Sequence, residues 1–470
     1  MALLAPSIAR PVLAIALLAG ASALTARVLA RERASTHPSV LLVVMDTTRR
    51  DHLSLYGYAR ATSPRLEELA RDATVFTRAY STSSWTAPAH ASLFTGLYPA
   101  AHHVTQEAWS MPDELETLAE LLQRDGYRTA AMVGNPMAGK SLGFAQGFDS
   151  FRETWREPAT DDARRHPAVR GLEDLVDARS AKPFFAFVNL IEPHTPYDDG
   201  PYLAEFDRDP VNPLKSNRWQ ALAAGETTLT QQDLEHLAAL YDGEVRYADA
   251  VVGALIDVLV HRGLLDDTVV VVTADHGESL GDHGLVDHVF SLYEETTRVP
   301  LIARFPPVFA EGRRDDPVQL HDLAPTLLAL AGLPPVEGMQ GLDLSCGPVD
   351  SDRPVLLAYG FPVQALSALQ KHHGTPEAIV RYGRRLWALR AGDWKLILGS
   401  DGQRELYDLA RDPDERCDLS GTSAGTARAD ALETELQRIL ERITRGKERG
   451  PDVSSMDEVT RLEMRKLGYD

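Results

Sequence analysis

Residues 268–274 read TVVVVTA, and Asp275-His276-Gly277-Glu278 follows without a break. A continuous apolar run of this length marks a strand buried on both faces. Four more runs repeat it: VLLVVM (40–45), TAAMVG (129–134), PFFAFVNL (183–190) and VPLIARF (299–305). Amphipathic helical patterns lie between them. Ser63 precedes Pro64 as an N-cap precedes a first-turn proline, with Leu66, Leu69, Ala70 and Ala73 as the apolar stripe. Leu115, Leu118, Leu121 and Leu122 form a second stripe, stopped by Gly126. The longest starts at Thr230 with Asp233 at the capping-box position, carries Leu234, Leu237, Tyr241 and later apolar residues to Leu259, and stops at Gly263. Buried strands alternating with such helices predict an α/β fold, with a mainly parallel central sheet covered on both faces.

The pattern changes after about residue 350. PVLLAYG, LWALRAGDWKLIL and RELYDL are short strand-like pieces joined by Gly and Asp turns. Leu432, Leu436, Ile439, Leu440 and Ile443 mark one further helix, closed by Gly446. A smaller α+β C-terminal subdomain is expected. At the other end, Arg10 precedes an uncharged, mostly apolar run over 11–26, and Ala21-Ser22-Ala23 offers a small-x-small cleavage site. The run is short for a membrane span of about 20 residues. It predicts export to the periplasm or beyond, with the segment either cleaved or retained as an anchor that associates with the membrane. The expected divisions are 1–26 (signal peptide or anchor), 27–38 (linker), 39–345 (catalytic domain), 346–446 (C-terminal subdomain) and 447–470 (tail).

Composition narrows the function. The 470 residues are 44% hydrophobic and 25% charged, which excludes a disordered or fibrous chain. With 48 basic and 68 acidic residues the formal charge is −20, which argues against nucleic acid as a partner. An anionic ligand then needs a local positive centre, a metal or a cluster of Arg, His or Lys. Cys346 and Cys417, the two cysteines, form no Cys-x-x-Cys pair, so a disulfide scaffold and a zinc ribbon are not expected. A single bridge between them stays open.

Three clusters can carry chemistry, two of them at strand ends, where functional groups of doubly wound sheets collect. Asp46 directly follows VLLVVM, as a metal ligand or a helix N-cap would. Asp275 and His276 follow TVVVVTA, with His283 and His288 close behind; adjacent oxygen and nitrogen donors suit zinc, manganese or a similar ion. In SSWTAPAHASLFTG (83–96), Thr86, Pro88 and His90 lead into a helix. A threonine there commonly only caps. A hydroxyl beside a cation has a lowered pKa, and a helix N-terminus stabilises anionic oxygens. Together the clusters assemble Asp46, Thr86, Asp275 and His276 around one cation.

With these residues in place, the chain resembles the sulfatase branch of the alkaline phosphatase superfamily. The matching segments are VLLVVMDTTRRDHLSLYGY, TSPRLEELA, WTAPAHASLFTGLYP, EPHTPY, TADHGESLGDHG, SLYEETTRVPLI, HDLAPTLLALAG and ELYDLARDPDE, in the expected order. The resemblance implies an alkaline-phosphatase-like sandwich with a sulfatase-type C-terminal subdomain. It also implies one divalent metal ion (Zn, Mn, Mg or Ca) and cleavage of an anionic ester on a small molecule, glycan or lipid headgroup. Carried over by position, Asp46, Thr86, Asp275 and His276 hold the metal, and Thr86, His90, His194 and His288 are catalytic. The resemblance also implies substrate contacts by Arg49, near the metal loop, and by Lys395, from the pocket rim; Asn135, directly after TAAMVG, and His283, close behind Asp275-His276, are expected as further contacts from their positions alone.

Two departures matter. Sulfatases carry Cys-x-Pro-x-Arg, or serine for the cysteine, and convert that first residue to formylglycine. Here the aligned segment is Thr86-Ala87-Pro88-Ala89-His90. Cys346-Gly347-Pro348-Val349-Asp350 resembles the motif superficially, but it lies outside the matching segments and ends in Asp. A formylglycine hydrate attacks sulfur with one hydroxyl and expels sulfate with the other. Threonine has one hydroxyl, so water must clear its ester, a route open to a phosphothreonine. Thr nucleophiles serve the phosphodiesterases, phosphoethanolamine transferases and lipoteichoic acid synthases of this superfamily. Second, Thr47 follows Asp46 where many sulfatases have another aspartate, which favours a transition metal or magnesium over calcium. The leading expectation is a hydrolase of phosphate or sulfate esters with a Thr nucleophile, phosphoester favoured on chemistry. The rivals are a phosphoryl transferase acting on a lipid or glycan, and a catalytically weak anionic-glycan-binding protein.

Overall fold

The computed structural model describes residues 37–178, 180, 182–197, 200–207, 219–371 and 374–444. The expected export segment, most of the linker and the C-terminal tail lie outside them. Among the described residues no helix is long and apolar enough to cross a membrane.

The five apolar runs all become strands of one nine-stranded sheet. In chain order its first six members are β1 (Ser39–Met45), β2 (Thr74–Tyr80), β3 (Arg128–Val133), β4 (Ser150–Glu153), β5 (Phe184–Leu190) and β6 (Thr268–Thr273). A separate two-residue hairpin follows, β7 (Ser279–Leu280) with β8 (Val286–Asp287). The sheet then adds β9 (Arg298–Arg304), β10 (Gly312–Arg314) and β11 (Val318–Gln319). Its spatial order is β10-β2-β9-β6-β1-β5-β3-β4, with β11 also on β2. β1 runs parallel to β5 and β6, β3 to β4 and β5, and β10 and β11 to β2. β9 is antiparallel to both β2 and β6. The mixed α/β architecture is therefore the mainly parallel one expected.

β2 and β4 were not anticipated. In TVFTRAY the polar Thr77 and Arg78 break the apolar run, and the strand is irregular between Phe76 and Ala79. SFRE is short and only partly buried. The helices shift in detail. The helix Pro64–Leu69 stops before Ala73, and Ser63 does not cap it: its hydroxyl instead accepts from the Leu55 amide at 3.0 Å. The helix Leu118–Arg124 begins after Leu115, at a Thr117–Glu120 capping box. The helix Gln231–His261 has the expected Thr230–Asp233 box.

The C-terminal strands β12 (Val355–Tyr359), β13 (Leu386–Ala391), β14 (Trp394–Gly399) and β15 (Arg404–Asp408) form an antiparallel sheet in that order. Its residues alternate between two cores, as a period of two requires. Val355, Leu357, Tyr359 and Ile397 join the main core. Leu356, Leu389, Leu396 and Leu406 join a second one under the helix Ser423–Thr444, which contributes Leu432, Leu436, Ile439 and Ile443. Gly446 lies outside the described residues. Cys346 and Cys417 are both free and exposed, so they form no bridge here.

β1 is buried from Leu41 to Met45 and flanked by strands on both sides. Shortening a fully buried side chain there leaves a cavity the sheet cannot close. Leu42→Ala should cost about 2–5 kcal/mol, read as a lowered urea midpoint with an unchanged slope.

Candidate active site

The central sheet puts one functional side chain at the end of each of four neighbouring strands. The β1–β6 register pairs Val44 with Thr273, so two residues further on Asp46 faces Asp275. The β3–β5 register pairs Val133 with Asn189, and Asn135 follows two residues after Val133. All four side chains are fully or almost fully buried.

Their hydrogen bonds leave a defined gap. Asp46 Oδ2 accepts from Asn189 Nδ2 at 2.8 Å and from Asn135 Nδ2 at 3.0 Å. Asp275 Oδ1 accepts from the backbone amides of Thr47 at 3.1 Å and His276 at 2.9 Å. Thr47 makes its bond from a left-handed backbone, φ 50°. The other oxygens, Asp46 Oδ1 and Asp275 Oδ2, are buried and accept no hydrogen bond. Burial and then the neighbouring Asp275 charge push the Asp46 carboxyl above its ordinary value. His276 Nδ1 lies 2.9 Å from the Gly277 carbonyl, to which it donates, so a neutral ring presents the Nε2 lone pair. Burial holds this imidazole well below its ordinary pKa. Gly277 permits the turn, because a Cβ there would stand 1.9 Å from the Glu295 carbonyl.

Two orphaned carboxylate oxygens and one imidazole lone pair fit a divalent cation. One donor atom each from Asp46, Asp275 and His276 lies within 4.8 Å of the others. Thr86 completes the set. It is the first residue of the helix Thr86–Thr95, whose N-cap is Trp85, and it makes no capping bond. Its hydroxyl stands 3.3 Å from His276 Nε2 and accepts from Asn135 Nδ2 at 3.4 Å.

The histidines divide. His276, His288 and His194 form a contiguous row, with ring centroids 4.6 and 4.9 Å apart. His90 stands one helical turn below Thr86. Its Nδ1 donates to the Thr86 carbonyl at 2.9 Å and lies 3.6 Å from Asp275 Oδ2, while its ring packs edge-on against Phe187 and Phe144. Its visible contacts thus back the Asp275 carboxylate.

Of the four expected substrate contacts, Asn135 joins the metal cluster and three stand elsewhere. The Arg49 guanidinium pairs with Asp51 at 2.8 Å and Asp282 at 2.5 Å and donates to the Glu278 carbonyl at 3.2 Å. His283, in a left-handed turn, stacks on Tyr293 at 3.7 Å. Lys395 does not reach a pocket rim: it is fully buried, with its ammonium 2.9 Å from Glu415 and 3.3 Å from Glu294. Arg49 and His283 line a separate cavity of about 690 Å³ with Glu294, Glu295, Arg298 and Arg416. Asn189, Glu278 and Asp287 escaped the sequence reading. A lone amide in the otherwise apolar PFFAFVNL was the available signal for Asn189.

A family model described as Sulfatase matches residues 38–333. The chain belongs to the sulfatase family. It is 26% identical over 447 residues to arylsulfatase K of Gallus gallus, covering 82% of this chain and 79% of that protein. Among solved structures it is similar to the phosphonate monoester hydrolase of Agrobacterium radiobacter (TM-score 0.71, 21% identity, 89% of this chain and 100% of that one). It is also similar to BT4656 in complex with its substrate D-glucosamine-2-N,6-O-disulfate (TM-score 0.70, 20% identity, 87% and 99%). The fold is thus that of sulfatases, alkaline-phosphatase-like. As a sulfatase-family member the chain is an ester hydrolase of the alkaline phosphatase superfamily, a metal-dependent family whose ligand types are present here.

Metal addition to chelator-treated protein should raise the melting temperature. At free metal 100 times the Kd the stabilisation is about 2.7 kcal/mol. Asp275→Asn should lose the part of that shift that the Asp46–Asp275–His276 cluster supplies.

In the second cavity, burial and then Asp282 and Glu415 push the Glu295 carboxyl up to about 8. The folded chain therefore holds this proton more tightly than the unfolded one. The stabilisation is complete below the ordinary 4.5 and declines as pH climbs towards 8. Glu295→Gln should melt increasingly above the parent as pH goes from 5 to 8; a gap independent of pH would contradict the assignment.

Proposed function

We propose that this sulfatase-family hydrolase cleaves an anionic ester by covalent catalysis through Thr86, with phosphoesters preferred over sulfate esters. The observation that carries the reading is the Thr86 hydroxyl. It is released from capping and aimed at the Asp46–Asp275–His276 cluster, in a motif that offers neither cysteine nor serine for conversion to formylglycine. Zinc, manganese or magnesium held by Asp46, Asp275 and His276 would lower the pKa of a neighbouring hydroxyl and offset charge on the ester oxygens.

The chain's own residues do the rest. Asn135 orients the Thr86 oxygen and, with Asn189, keeps Asp46 Oδ2 occupied so that Oδ1 points to the site. Deprotonated Thr86 Oγ1 attacks phosphorus in line, the bond to the leaving oxygen breaks, and His194 or His288 protonates that oxygen. Water then attacks phosphorus, giving its proton to the same histidine, and the bond from phosphorus to Thr86 Oγ1 breaks. The same site on a sulfate ester would leave a sulfothreonine with no second hydroxyl to expel it. The substrate is read as an ester on a small molecule, glycan or lipid headgroup. The sulfated sugar of BT4656 and the phosphonate ester implied by the name of the Agrobacterium enzyme support that class. Export through the N-terminal segment fits such a substrate.

The test is turnover of an aryl sulfate, an aryl phosphate and an aryl phosphodiester by metal-loaded enzyme. Thr86→Ala should lower kcat by about 10³-fold or more on the phosphoesters. Acid-quenched enzyme should carry phosphate on Thr86. Equal turnover by parent and variant would overturn the covalent route, and sulfate turnover dependent on Thr86 would overturn the phosphoester preference. A non-water acceptor found in the product would favour the transferase.

A further inference from the structure

Glu278, Asp287 and His288 form a buried cluster that the Thr86 mechanism does not use as a unit. The hairpin builds it. β7 and β8 pair Ser279 with Asp287 and Leu280 with Val286, so the next position outward sets Glu278 opposite His288. Asp287 has a left-handed backbone, φ 72°, which folds its carboxylate back onto its neighbour. Asp287 Oδ1 accepts from the His288 amide at 2.7 Å and lies 2.9 Å from His288 Nδ1. Glu278 Oε1 lies 3.2 Å from the same Nδ1. One donor atom from each residue falls within 4.8 Å of the other two.

The electrostatics are unbalanced. Two carboxylates share the His288 imidazole, with the His194 ring facing both and the Tyr197 hydroxyl bonded to Glu278, in a region where none of the three cluster residues is more than 8% exposed. Among the described residues, neither carboxylate is paired with lysine or arginine. The Arg49 guanidinium, the nearest candidate, donates to the Glu278 backbone carbonyl and spends its charge on Asp51 and Asp282. The second observation is Glu278 Oε2, fully buried and accepting no hydrogen bond. A buried ionised oxygen without a partner is costly, and a cation is the group that satisfies it.

We propose that Glu278, Asp287 and His288 hold a second divalent cation beside the first. Two carboxylate oxygens and one imidazole nitrogen suit zinc or manganese, and three protein ligands leave a coordination position open. The His276 and His288 rings are 4.6 Å apart, so the two ions are neighbours. With a cation on Nδ1, His288 is a ligand, and protonation of the leaving oxygen falls to His194. The second charge also offsets two carboxylates that would otherwise repel a dianionic ester. Cation binding here does not depend on Thr86 being the nucleophile.

The test counts ions on the full chain. Protein stripped with chelator and dialysed against zinc chloride or manganese chloride should bind two ions, by elemental analysis. Glu278→Gln and Asp287→Asn should each bind one. Asp275→Asn should also bind one, because it spares the hairpin. A parent that binds one ion, lost in Asp275→Asn and kept in Glu278→Gln, overturns the proposal and leaves a proton on His288 in the cation's place. Should the hairpin variants fail to fold, anomalous scattering from zinc-soaked crystals of the parent decides. A peak among Glu278, Asp287 and His288 supports the site; a single peak at Asp46, Asp275 and His276 overturns it. Failure of the ion count leaves the Thr86→Ala turnover result untouched, so the two readings fail separately.

Discussion

Two carboxylates, Asp46 and Asp275, end adjacent parallel strands in a region closed to solvent, and the site is organised around the cost of that juxtaposition. Each has one oxygen satisfied by protein donors and one left open. Unpaired buried charge costs several kcal/mol, and a cation is the group whose binding would offset it here. The donors that remain are assigned accordingly. Asn189 and Asn135 occupy one side of Asp46, and two backbone amides occupy one side of Asp275. His276 donates through Nδ1 to its own turn and keeps Nε2 free. In such sites folding and metal binding share one free energy.

The loop after β6 is held in place by contacts that look like substrate groups in sequence. Arg49, three residues after Asp46, reaches across to Asp282 and the Glu278 carbonyl, tying the first metal loop to the hairpin. His283 marks the hairpin's turn and packs on Tyr293. Lys395 pairs with Glu415 and with Glu294, which lines the second cavity. The Arg49 and Lys395 contacts are buried or half-buried ion pairs, and breaking one partner of such a pair costs more than the pair contributes. The Arg49 contacts hold the hairpin that carries Glu278, Asp287 and His288 against the loop after β1.

The long-range pieces of the site were legible to different degrees. TVVVVTA and VLLVVM announce buried strands because solvent touches neither face, and the carboxylate that ends each run is placed by that alone. TVFTRAY was not legible, because Thr77 and Arg78 sit where the sheet loosens. Thr86 taken alone read as a cap, and as a nucleophile only beside a cation. Trp85, at the N-cap with no side-chain bond, removes the first alternative. His90 lies in the helix that Thr86 opens, one turn on, and contacts Asp275 and phenylalanine rings, a packing that depends on β5 and on Phe144 far away in the chain.

By itself the sequence determined the five buried runs of the sheet, its mainly parallel character and the two carboxylates that end β1 and β6, but neither β2 and β4 nor Asn189 at the same edge. Hydrophobic periodicity is local, and strand ends follow from it. Tertiary structure alone decided the other charged contacts. Strand register delivers the expected approach of Asp46 to Asp275, hairpin pairing sets Glu278 against His288, and the loop after β15 brings Glu415 to Lys395. The energy of each contact depends on burial that the distant chain supplies.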